Sequence, residues 1–240
     1  MIRVTIFNEF YHEKRKEKVQ AIYPDGMHMT LKRALECDDI SVKTVTLDDE
    51  DCGLDEETLK NTDVLIWWGH AKHADVPDEV AIRVQKEVLK GMGMIFLHSG
   101  HHSKPFKLLM GTSCNLNWRN DNDYELVWVC NPAHPIAQGI GRFIKLDGEE
   151  TYCEPFGIPE PDELVFIGSY ENGEVFRSGC CYRRENGKIF YFQPGHETHP
   201  TFKNPDIIRV IKNAIYWANP IYRVDELVCP RVTKPLGEEA

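Results

Sequence analysis

The 240-residue chain holds eight cysteines but no C-x-x-C pair, so neither a zinc-ribbon framework nor a dithiol redox motif can be assembled from neighbours. Cys180 and Cys181 are adjacent within an alternating strand-like run, and they read as reduced strand thiols. No apolar run approaches the roughly 18 residues of a spanning helix. Met1 leads directly into the apolar "RVTIF" instead of the basic region, longer apolar stretch and cleavage site of a secretory signal, which gives the expectation of a cytoplasmic protein. Basic charge is also scarce. With Lys+Arg at 28 against Asp+Glu at 38, the net charge of −10 argues against a general nucleic-acid or anionic-membrane binder. No HExxH metalloprotease motif and no nucleotide-cofactor motif occurs, and there is no internal repeat or low-complexity segment.

What is present is an alternation of short apolar runs with helical patterns, the signature of parallel βαβ units. Strands are expected at 3–7, 41–47, 63–69 and 93–99, with helical stretches from near Lys14, after the "YPDG" turn, at 55–61 and at 77–91. Beyond about residue 120 the helices thin out, and runs at 124–130, 163–170, 174–183 and 188–194, with "NG" turns at 172–173 and 186–187, predict an antiparallel extension. A helix at 205–218 closes a single α/β domain over 1–218, a doubly wound, mostly parallel sheet. The tail, 219–240, is expected to drape over the surface or to order against a second subunit, a weak pointer to a homo-oligomer.

Histidine is the unusual residue. Three H-x-x-H pairs occur, His70/His73, His98/His101 and His196/His199, where ten histidines placed at random would give on the order of 0.4 such pairs. Each pair follows a predicted strand, and in an open parallel sheet the carboxyl ends of the strands converge on one rim. His70, His98, His101 and His196 therefore read as site residues, His28 and His134 as surface or capping residues, and His73, His102 and His199 as undecided. Two chemistries suit such a rim. Imidazoles ligate zinc and similar divalent ions, with His70, His101 and His196 as the candidate set. Alternatively, imidazoles beside Glu9, Glu154 or Glu197 pass protons to and from a substrate. The same predicted loops carry Tyr11, His12, Trp67, Trp68, Trp118, Tyr152 and Phe156 together with Asn8, Asn117 and Glu150, and flat apolar faces beside directional polar groups suit a sugar. Of the two adjacent indoles, Trp67 reads as core and Trp68 as the pocket candidate, since neighbours on a strand face opposite ways. The substrate-binding set is accordingly Asn8, Glu9, Tyr11, His12, Trp68 and Glu154.

Across residues 2–218 the motifs "LIWWGHAKH", "GMIFLHSGH", "NPAHPIAQGI" and "YFQPGHETHPTF" resemble the trehalose-utilisation, ThuA-like family. The resemblance implies a class I glutamine amidotransferase-like, flavodoxin-like fold and a role in catabolism of trehalose or related disaccharides, on a keto-sugar made by a partner dehydrogenase. It also exposes a departure. Where an amidotransferase carries its cysteine nucleophile at a strand-to-helix elbow, "HSG" puts His98, and the late His-x-Glu is replaced by His196-Glu197. An imidazole at the elbow offers no thioester pathway, so glutamine hydrolysis is disfavoured. The expected activity is isomerisation or epimerisation with His98, His196 and Glu197 as catalytic residues. Hydrolysis by a metal-bound water, and a noncatalytic sugar-binding or regulatory protein on the same scaffold, stay open.

Overall fold

A strand buried on both faces must be apolar throughout, and "VLIWW" and "GMIFL" meet that condition where an amphipathic strand would not. The chain runs β1 (Ile2–Asn8), α1 (Glu17–Ile22), α2 (Met27–Leu35), β2 (Ile40–Thr46), α3 (Glu56–Lys60), β3 (Val64–Trp68), α4 (Asp78–Leu89), β4 (Gly93–Leu97) and α5 (Lys104–Met110). It continues through β5 (Asn117–Arg119), β6 (Glu125–Val129), β7 (Phe143–Leu146), β8 (Thr151–Cys153), β9 (Glu163–Tyr170), β10 (Val175–Arg184) and β11 (Gly187–Phe192) to α6 (Pro205–Ala218). The structure is a computed structural model describing residues 1–229, 231 and 235.

Nine strands form one sheet in the order β2-β1-β3-β4-β11-β10-β9-β6-β7. The first five are mutually parallel and the last four extend the sheet antiparallel; the extension is as expected in kind, but β11, expected within it, lies parallel to β4, and β7 was not expected. The small pair β5-β8 stands apart, antiparallel, and was not foreseen, because three-residue strands carry no periodic signal. Helices cover both faces of the sheet. Val19, Leu31, Val210 and Ile211 pack with Trp68 on one side, and Leu59, Val80, Val84 and Phe106 with Trp67 on the other. Both tryptophans are fully buried, which corrects the expectation that Trp68 lines a pocket.

The chain leaves β1 to place β2 on one side and β3 on the other, so the switch point lies between β1 and β3. The loops after β1, β3, β4 and β11 therefore open on a common rim. Below it, at the opposite sheet end, the first part of the tail drapes as expected. Arg223 donates to the carbonyls of Leu59 and Thr62, and the Val224 N–H to that of Lys90. The expectation for the tail beyond Cys229 falls mostly outside the described residues. Among the described residues no helix is long and apolar enough to cross a membrane.

Candidate functional site: an imidazole and carboxylate cluster

Two buried carboxylates build the rim. Glu9 accepts from three successive backbone N–H groups, those of His70, Ala71 and Lys72, at 2.7 to 3.0 Å, which folds the loop after β3 into an anion-binding turn. Glu149 accepts from the N–H groups of Gly195 and His196 at 3.0 Å and from the Thr201 hydroxyl at 2.7 Å, which does the same for the loop after β11. Gly195 has a φ of 139°, and a Cβ there would lie 2.6 Å from the Phe202 ring, so the close packing of this loop requires glycine. Trp68 supports it from below, its indole N–H donating to the Gly195 carbonyl at 2.9 Å.

His98 occupies the turn after β4 with a φ of 51°, a left-handed conformation that a side chain adopts only under constraint. Its Nδ1 lies 3.0 Å from the Gln193 carbonyl and its Nε2 3.1 Å from Glu150 Oε2, while its ring stacks on Tyr152. His196 Nδ1 is tied to the Thr198 hydroxyl at 2.8 Å, and its Nε2 lies 3.7 Å from Glu150 Oε1. His70 Nδ1 pairs with Glu197 Oε2 at 2.9 Å. Each of the three imidazoles thus has an oxygen within 3.0 Å of Nδ1, while Nε2 of His98 faces Glu150 and Tyr152 and Nε2 of His196 faces Asn120. One ligand atom from each of His70, His98, His196 and Glu150 lies within 4.8 Å of all the others.

Burial opposes charge throughout the cluster, and the pairs decide which groups keep it. For His98 the Glu150 carboxylate outweighs burial and raises the imidazole pKa, while Glu150 itself is lowered by its His98 pair against the burial penalty. His196 goes the other way, with burial and the adjacent His98 lowering it to about 3. Glu197, despite burial, is held well below the usual carboxylate range by His12 and His70. Burial raises Tyr152 far above a normal phenol, so its hydroxyl, 3.3 Å from His98 Nε2 and 2.9 Å from the Ser99 hydroxyl, keeps its proton.

The structure brings together His98, His196, His70, His12 and Glu197 from the expected residues and leaves others elsewhere. His101 is outside the cluster, replaced by His98 and Glu150. Its Nδ1 is bound to the Cys114 carbonyl at 2.7 Å and its ring packs among Tyr152, Phe156 and Tyr191. Glu197 does not chiefly back His196, from which it stands at 3.5 Å. It contacts His12 at 2.6 Å, His70 at 2.9 Å and Lys16 at 3.1 Å. Asn8 is buried against Glu13 and His28, which makes His28 a buried structural residue and not a surface one. Glu154 is engaged by Arg177 and by the Phe156 N–H, away from the imidazoles. Tyr11 lies at the surface beneath Arg15 and Lys72. His134 caps a short turn, as expected. Glu149 and Glu150 as positioner and cluster member, and Asn120, whose amide meets His196 Nε2 at 3.2 Å, were not foreseen. The adjacent carboxylates of "DGEETYC" were the available signal.

A family model described as ThuA, trehalose utilisation, matches residues 3–218. The chain belongs to this family. Solved structures with the same fold include ThuA-like proteins of Bacteroides uniformis (17% identity, TM-score 0.66, covering 90% of each chain) and Parabacteroides merdae (13%, 0.66, covering 95% of this chain and 92% of that one). A glutamine amidotransferase of Thermotoga maritima is also similar (12%, 0.53, 90% and 96%). No curated protein sequence matches the chain. The fold of this ThuA-family chain is thus shared with a glutamine amidotransferase, and fold alone does not set its chemistry.

Proposed function

We propose that this ThuA-family chain is an enzyme of sugar catabolism that isomerises or epimerises a keto-sugar, with a divalent metal held by His70, His98, Glu150 and His196. The observation that carries the reading is the three imidazoles with Nδ1 pre-engaged by the Gln193 carbonyl, the Thr198 hydroxyl and the Glu197 carboxylate. Oxygen partners beside the far nitrogen hold a ring's orientation, as in metal-binding histidines, and at His196 the Thr198 N–H also reaches Nδ1 at 3.3 Å. Three nitrogens and one carboxylate oxygen suit zinc or a similar ion, which when bound polarises a carbonyl. Glu150 has two oxygens, so one serves the ion while the other takes a proton from the carbon beside the carbonyl. The C–H electron pair would become the double bond of an enediolate as the carbonyl π pair moves onto oxygen, where the Tyr152 hydroxyl would donate a hydrogen bond. Return of the proton from Glu150 to the other face of the same carbon re-forms the carbonyl and gives the epimer, while passage of the neighbouring hydroxyl proton to the former carbonyl oxygen, with carbon protonation at the former carbonyl carbon, gives the isomer. A dehydrogenase would supply the ketone.

A metal-free version is favoured by one observation, the Glu150 carboxylate standing between a ring that it charges, His98, and one kept neutral, His196. Groups whose environments push their titrations apart are natural acid and base partners, His98 protonating the carbonyl oxygen and His196 accepting the carbon's proton. Elemental analysis of untagged protein, repeated on His98→Ala and His196→Ala, separates the two. About one metal per chain, lost in both variants, supports the metal centre. Wild-type protein that neither carries nor takes up zinc refutes it and leaves the acid–base pair. Sugar turnover unchanged in both variants would remove the cluster from catalysis altogether.

A further inference from the structure

Beside the cluster lies a cleft of about 450 Å³, reached through His70 and Glu150, within the size range of small-molecule sites. Its outer wall is β5. In the β5-β8 register Trp118 is directly opposite Tyr152, so both side chains leave the same face of this pair, and Tyr152 in turn stacks on His98 at 5.0 Å. An aromatic wall thus runs outward from the elbow to an indole that is 66% exposed. The short strand bearing it is fastened by Arg119, which is paired with Asp121, Asp123 and Glu174, so the indole is presented by a braced element. At the same rim His102 Nε2 meets Asn115 Oδ1 at 3.1 Å, with further donor and acceptor capacity on both side chains. None of the side chains lining the cleft is a lysine or arginine, and the carboxylate among them is Glu150.

Resting on the sugar reading above, we infer that this cleft is a subsite for an uncharged sugar ring, with Trp118 as its stacking platform and His102 and Asn115 as partners for ring hydroxyls. Ring C–H faces lie on the indole, and hydroxyls meet the imidazole and amide. Trp118 is on this account a specificity-determining residue remote from the reacting carbon.

Calorimetric titration of the zinc-loaded full chain with trehalose and glucose tests this. Trp118→Ala should raise the Kd for trehalose by about tenfold and Trp118→Phe by a smaller factor, with zinc uptake unchanged in both. The double variant His102→Ala/Asn115→Ala should weaken trehalose comparably. Trehalose binding to Trp118→Ala as tightly as to wild type overturns the platform while leaving the sugar reading in place. Wild-type protein that takes up zinc but binds neither sugar overturns the subsite, and turnover of a keto-sugar by that same protein would leave the sugar reading standing.

Discussion

Replacing Glu9 with glutamine distinguishes a loop-building carboxylate from a substrate ligand. Oε2 accepts from the N–H groups of His70, Ala71 and Lys72 at 2.7, 3.0 and 2.9 Å, and Oε1 takes a second contact from Ala71 at 2.9 Å. A glutamine can set its amide oxygen in the Oε2 position and keep three acceptances, but without the charge that strengthens each, and its NH₂ then faces the Ala71 donor. Hydrogen bonds to charged groups contribute about 1.5–3 kcal/mol each against about 1 for neutral ones. Losing that difference three times and adding one donor-to-donor contact gives a destabilisation of about 3–7 kcal/mol for Glu9→Gln. Glu9→Ala, which leaves three donors in a buried turn, should cost about 5–9 kcal/mol. Against a domain stability of about 5–15 kcal/mol these are large effects, and urea unfolding should show a midpoint at least roughly 1 M lower for glutamine at unchanged m. Because His70 heads the turn, zinc affinity should fall in parallel. A Glu9→Gln protein within about 0.5 kcal/mol of wild type, with only its KM for sugar raised, would refute the reasoning and return Glu9 to the substrate.

His98→Gly should be more stable than His98→Ala by about 1 kcal/mol, because both lose the ring but only glycine relieves the left-handed φ of 51°; equal urea midpoints would deny the strain. His101, held neutral by burial down to about pH 3, contributes stability that is complete above the unfolded pKa near 6.5 and is lost as pH falls toward 3, at about 1.4 kcal/mol per pH unit. Calorimetry of His101→Asn against wild type from pH 7 to 4.5 should show a flatter decline in the variant. Glu154→Gln, breaking a partly exposed bidentate pair with Arg177, should lower stability by about 1 kcal/mol, less at high salt, and leave turnover unchanged.

Which parts of this were legible follows from the physics of each signal. A buried parallel strand is written in consecutive apolar residues, so β3 and β4 were read within two residues of their ends, and the histidines behind them fell on the right rim. Periodicity is silent about direction within a loop. His98 and His101 share the same motif, yet the left-handed turn at His98 sends its ring to Glu150, while His101, three residues on, is carried into the aromatic core. The same silence left Glu150 read as a polar group of the sugar pocket and not as a cluster member; it arrives from a loop before the three-residue strand β8. The alternation rule put Trp67 and Trp68 on opposite faces correctly, but a doubly wound sheet has helices on both, so neither face was open.

His12, His70 and Glu197 also stand close enough together to hold an ion, next to the first set and sharing His70 with it. Their electrostatics argue for a single centre. Lys16 already presents its ammonium to Glu197 Oε1 at 3.1 Å, and a divalent cation beside it would meet a like charge at short range. His70, moreover, has two nitrogens to give. With Nδ1 2.9 Å from Glu197, the His70 ring has Nε2 left for the set containing Glu150. Glu197 is then the fixed anion behind the site, contacted by His12, His70 and Lys16. Glu150, facing two Nε2 atoms and the cleft, is the carboxylate free to change partners, which is why the chemistry is assigned to Glu150 and the orientation of His70 to Glu197.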